Sequence, residues 1–211
     1  MERPSFLHQM RELLPDRAMT AEQGKEVAER QANRLLHLFG ITEPSVDVAR
    51  IGELPHIHLE VSDSIPASGL SHFTGKQWNI VVRAKDSVSR RRFTLAHEFK
   101  HIIDHPYMDV LYPGFAVDRV LKKRIETVCD HFAASFLMPA LWVQREWERG
   151  IHDALTLARI FKVSEAAMRV RLHVLGLGAG GGGRPPQNPD DVRTYFRIPP
   201  GRVDSSPCPF S

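Results

Sequence analysis

The segment His97-Glu98-Phe99-Lys100-His101 restricts this chain more than any other feature of it. Positions four apart on a helix differ by about 40° around the axis, so both imidazoles project from one side, about one turn apart. Two nitrogens need that placement to share one tetrahedral zinc ion. Glu98 stands beside the first histidine, where its carboxylate can reach a water on such an ion. With 11 histidines in 211 residues, chance supplies only about 0.03 matches to this pattern. Phe93-Thr94-Leu95-Ala96 before it and Ile102-Ile103 after it predict a buried helix with the histidines on one side.

A catalytic zinc takes a third protein ligand and keeps a position open. Glu126 and Asp130, again four apart, are the best candidates. Glu126 is placed to ligate, and Asp130, a turn deeper, to orient a ligand histidine through its second ring nitrogen. His131 and His105 rank lower. The first points about 100° away from Asp130, and the second ends the helix before Pro106. Zinc would lower the pKa of its water to about 7, and Glu98 would carry the proton from that water to a leaving amine.

Composition sets the frame. A chain of 211 residues with 42% hydrophobic content is long enough for one globular domain, or a domain with a small appendage. No run approaches the length of a membrane span. Met1 to Thr20 shows no apolar core of a secretory signal. Two cysteines, Cys129 and Cys208, make no disulfide framework and suit a reducing cytoplasm. A net charge of +3 is weak grounds for nucleic acid, and the basic runs Arg90–Arg92 and Lys122–Arg124 read as solvated helix faces.

Residues 1–20 form a loosely docked leader in this reading. A helix spans 21–39 with Gly40 as its stop, and a short one covers 44–51. Strands at 57–61, 69–73 and 78–82, the last two turning at Gly75-Lys76, make a small, mainly antiparallel sheet. Helices follow from Ser89, the expected N-cap, to Ile103, from Val120 to Leu137, and from Pro139 to Gly150. The fold class is α+β, with a main unit over 21–150. Residues 151–177 hold two short helices. They read either as a hairpin packed through Ile160, Val163, Ala167, Val170 and Leu175, or as a helix-turn-helix carrying Arg169 and Arg171 to DNA. The Gly/Pro-rich 178–211 forms a disordered tail in which only Tyr195–Ile198 could dock.

Arg92-Phe93-Thr94-Leu95-Ala96-His97-Glu98, together with Glu126-x-x-Cys129-Asp130-x-Phe132-Ala133-Ala134-x-Phe136-Leu137-Met138-Pro139, resembles the ImmA/IrrE family of metallo-endopeptidases. The resemblance runs over about 25–177, taking in Val163-Ser164-x-x-Ala167-x-x-x-Arg171-Leu172. It implies a thermolysin-like zincin core over 21–150, Zn2+ as cofactor, and the glutamate of the ExxAD-type motif as third ligand. For many members it also implies cleavage of a helix-turn-helix repressor, in stress-response or mobile-element circuits. A non-catalytic regulator that captures a repressor or binds DNA is the alternative. Two positions depart from the family pattern: Lys100 stands where glycine is usual, and Cys129 where alanine is usual. Lys100 faces away from the metal side by helical spacing. His105, Tyr107 and Tyr112 are the candidate oxyanion donors.

Overall fold

Side-chain caps open most of the helices in the computed structural model, which describes residues 5–177. Helix α1 (Phe6–Arg11) starts on the Ser5 hydroxyl, and α2 (Ala21–Phe39) on a Thr20–Gln23 capping box. A 3-10 turn at Val48–Glu53 leads into strands β1 (Ile57–Ser62), β2 (Gly69–Phe73) and β3 (Trp78–Arg83). Helix α3 (Val88–Asp104) starts at Ser87, whose hydroxyl accepts the Arg90 N–H, two residues ahead of the expected Ser89. Helix α4 (Met108–Leu111) is a single turn. Helix α5 (Arg119–Leu137) is capped by Asp118, and α6 (Ala140–Glu148) follows Pro139. Asp153 caps α7 (Ala154–Phe161), and Ser164 caps α8 (Glu165–Val174).

The sheet is mixed rather than mainly antiparallel. Its order is β1-β3-β2, with β2 antiparallel and β1 parallel to β3. The 69–73/78–82 hairpin forms as expected, Gly75 taking the positive φ of 87° that its turn requires. The difference lies in β1. Ile80, Val81 and Val82 are all buried, so β3 takes the centre and offers its free edge to β1. Residues 63–68 carry the chain across to the far side, and β1 therefore runs alongside β3 in the same direction.

Helix α3 packs beneath β2 and β3 and against α5, which also lies along α2. Phe99, Ile102 and Ile103 of α3 interdigitate with Phe132 and Phe136 of α5 in one buried cluster, the Phe99 and Phe132 ring centres 6.4 Å apart. The N-terminal stretch is held more firmly than a loose leader. Met10 is buried, Gln31 donates to the Met10 carbonyl, and Arg11 donates to the Ile102 and Ile103 carbonyls near the end of α3. Arginine thereby satisfies helix-end acceptors that would otherwise go unpaired.

Lys122 and Lys123 are exposed as a solvated face would be, whereas two of the arginines do structural work. Arg91 donates to the Ala84 and Asp86 carbonyls, and Arg92 to those of Lys162 and Val46. Arg171 is only 2% exposed and cannot enter a DNA groove. It donates to the Met138 carbonyl and pairs with Glu29, fastening α8 to α5 and α2, while Arg169 pairs with Glu165. Ala167, Val170 and Phe161 join the main core, so residues 154–174 form a hairpin packed on it. Among the described residues no helix is long and apolar enough to cross a membrane. The tail and Tyr195–Ile198 lie outside the described residues.

Glu29 makes this fastening pH-sensitive. A hydrogen bond with His131 outweighs burial and, with Arg171, brings the carboxyl from 4.5 down to about 2. A folded pKa below the unfolded one means stabilisation that is complete above pH 4.5 and is lost as pH falls toward 2. Glu29 is partly exposed, so solvent screening keeps the effect modest. Urea denaturation of wild type and Glu29→Gln across this range should show a stability gap that closes on acidification. A gap independent of pH would contradict the assignment.

Candidate metal centre

Helical periodicity puts His97 and His101 on the side of α3 that faces α5, and the packing of the two helices does the rest. The ring nitrogens His97 Nε2 and His101 Nε2 lie 3.1 Å apart. Glu126 reaches across from α5, one carboxylate oxygen 3.5 Å from His97 Nε2 and the other 3.5 Å from His101 Nε2. Donors about 2.0–2.1 Å from a tetrahedral ion stand about 3.3–3.4 Å from one another, so the two imidazoles have the spacing to share one, with the Glu126 carboxylate beside both. Asp130, one turn beyond Glu126, accepts from His97 Nδ1 at 2.8 Å. With Nδ1 donating, Nε2 presents its lone pair to the side where His101 and Glu126 converge.

Electrostatics favour a cation at that point. Burial alone would lower the pKa of His97, but hydrogen bonds to Asp130 and Glu126, and their charges, raise it to about 10. The surroundings that draw a proton onto this imidazole also draw a divalent ion, which displaces the proton. His97 is 1% exposed, whereas His101 and Glu126 are 20% and 24% exposed, so the trio opens to solvent on one side only.

Glu98 is buried and points toward the sheet side of this opening. Ser71 of β2 donates its hydroxyl to Glu98 Oε2 at 2.8 Å. The strand can come that close because Gly69 has no side chain. A Cβ there would lie 2.3 Å from Thr94 Cγ2 of α3. Ser71 is absent from the sequence reading, since its role depends on a strand and a helix meeting in space. A glycine two residues away on the same strand face was the only local sign.

The remaining candidates fall elsewhere. His131 turns away to Glu29, and His105 sets its ring edge-on to Trp78 at 4.8 Å. Tyr112 is buried among Met19, Val27, Ile125 and Cys129, and its hydroxyl is closed off from a substrate carbonyl. Lys100 is fully buried and pairs with Asp104 Oδ1 at 2.5 Å, one turn along α3 and off the metal side. The pair is internally neutral, which lets a charge occupy a position between packed helices. Cys129 also faces the histidines: its Sγ and the ligand atoms of His97 and His101 all lie within 4.8 Å of one another. Burial pushes that thiol well above its ordinary range. A cavity of about 250 Å³ between the starts of α3 and α8, lined in part by Ser87, Arg90, Phe93 and Ser164, lies apart from this cluster.

A buried α-helix carrying paired histidines against a second helix carrying acids, beneath a small mixed sheet, describes a class of metal-dependent peptidase. The chain belongs to the Peptidase_M78 family, described as the IrrE N-terminal-like domain, whose model matches residues 59–173. It is thus a member of the ImmA/IrrE family. The radiation response metalloprotease IrrE of Deinococcus radiodurans is 31% identical over 99 residues, which is 46% of this chain and 30% of that protein. Among solved structures, a Mycobacterium tuberculosis transcriptional regulator superposes with a TM-score of 0.54 at 16% identity, over 80% of this chain and 52% of that one. That likeness concerns the fold alone. The chain spans less than a third of IrrE and about half of the mycobacterial protein.

Because Asp130 fixes the tautomer and orientation of His97, Asp130→Asn should weaken zinc binding about 10–100-fold in a chelator competition titration. Unchanged affinity would show that the 2.8 Å contact has no bearing on the ion.

Proposed function

We propose that this chain is a zinc-dependent endopeptidase, with His97, His101 and Glu126 holding the ion, Asp130 orienting His97, and Glu98 acting as general base. The observation that carries this reading is the convergence of two imidazole nitrogens and a carboxylate within 3.1–3.5 Å of each other. Two imidazoles and a carboxylate suit zinc, and family membership favours a peptide substrate. The arrangement fits a thermolysin-like zincin, in which helices α3 and α5 supply every group the ion needs.

When bound, zinc supplies a Lewis acid for the carbonyl and a water whose pKa is about 7. The chain's own residues do the rest. Glu98 takes a proton from the attacking water on one carboxylate oxygen, while Ser71 holds the other in place. Glu98 then delivers that proton to the departing amine nitrogen. Strand β2 is an edge of the sheet, and among the described residues no strand pairs with its outer side. An extended peptide that adds to this edge comes to lie alongside Ser71 and Glu98.

The substrate we favour is a protein, specifically a helix-turn-helix repressor, which places the chain as an antirepressor acting in the cytoplasm. This rests on the family resemblance. The burial of Arg171 weighs against direct DNA binding by the α7–α8 hairpin. Glu98→Gln should keep stoichiometric zinc by metal analysis while repressor cleavage, followed on gels, falls by about 10²–10⁴-fold. Cleavage at the wild-type rate would remove Glu98 from the chemistry.

A further inference from the structure

Helix α5 sends more than one donor toward the histidine pair. Positions 126 and 129 are three apart and lie on one face of the helix. Glu126 touches both imidazoles, and the Cys129 sulfur lies within 4.8 Å of the ligand atoms of both. Cys129 is a free thiol, buried beside Val27, Tyr112 and Ile125. Sulfur makes longer bonds to zinc than nitrogen does, about 2.3 Å against about 2.0–2.1 Å. The thiol therefore stands beside the position that an ion on the two imidazoles would take.

We propose that Cys129 is a further metal ligand, a thiol donor to the His97–His101 pair that Glu126 also touches. The inference rests on the metallopeptidase reading and adds a regulatory state to it. An ion held by two imidazoles, a carboxylate and a thiolate would have four protein donors and no position for water. In that form the centre would be structural and catalytically silent. It would be competent with the sulfur withdrawn and the ion held by the two histidines and Glu126 alone. As the sulfur–metal bond forms, the thiol loses its proton to solvent. The soft donor also biases the centre toward thiophilic ions over hard ones.

Cobalt(II) reports the ligand set directly, independent of any proteolysis. The full chain holds two cysteines, so Cys208→Ala leaves Cys129 as its only thiol. Titrated with Co2+, this variant should show the visible d–d bands of a four-coordinate ion together with an intense near-ultraviolet thiolate-to-cobalt charge-transfer band. Cys129→Ala, which swaps one small buried side chain for another, should keep the d–d bands and lose the charge-transfer band. Visible bands without charge transfer in Cys208→Ala would overturn the thiol ligand while leaving the histidine–glutamate site standing. Absence of both bands and of cobalt uptake would overturn the metal reading, and the thiol ligand with it.

Discussion

Everything distinctive in this protein depends on how α3 meets α5. His97 is the hinge of that meeting: its Nδ1 is tied to Asp130, its Nε2 faces Glu126, and its ring is sealed from solvent. Around it, Phe99, Ile102 and Ile103 pack against Phe132 and Phe136, an apolar contact of the kind that contributes several kcal/mol per large side chain. That packing offsets the cost of gathering two imidazoles and two carboxylates into one buried corner. The proposed ion, shared among them, would remove the remaining electrostatic conflict.

The other elements serve this pair of helices. The sheet covers α3 on one side, and the glycine at position 69 brings Ser71 down to Glu98. Helix α2 lies along α5 and carries Glu29, through which Arg171 anchors the α7–α8 hairpin. Helix α1 holds the far end of α3 through Arg11. The site thus sits on rigid elements held from several directions, which preorganised chemistry requires.

Much of the centre was legible in the sequence because a helix converts spacing into direction. His97, His101, Glu126 and Asp130 needed only a period of 3.6 and two packed helices to converge. What escaped depends on contacts between distant segments. The direction of β1 is set by a crossover and by the burial of β3, and neither shows in a five-residue alternation. Ser71 acquires its role only when β2 lands on α3. Arg92 looked like surface charge and Arg171 like a candidate for DNA, yet each satisfies a backbone carbonyl from a segment far away in the chain. The Lys100–Asp104 pair was readable as an i,i+4 couple, but its burial was not.

Anomalous diffraction at the zinc edge from crystals of the zinc-loaded chain tests the central claim most directly. The account predicts one strong peak between α3 and α5, within bonding distance of the Nε2 atoms of His97 and His101 and of a Glu126 oxygen. A peak elsewhere, or one that touches the histidines but not Glu126, would contradict it.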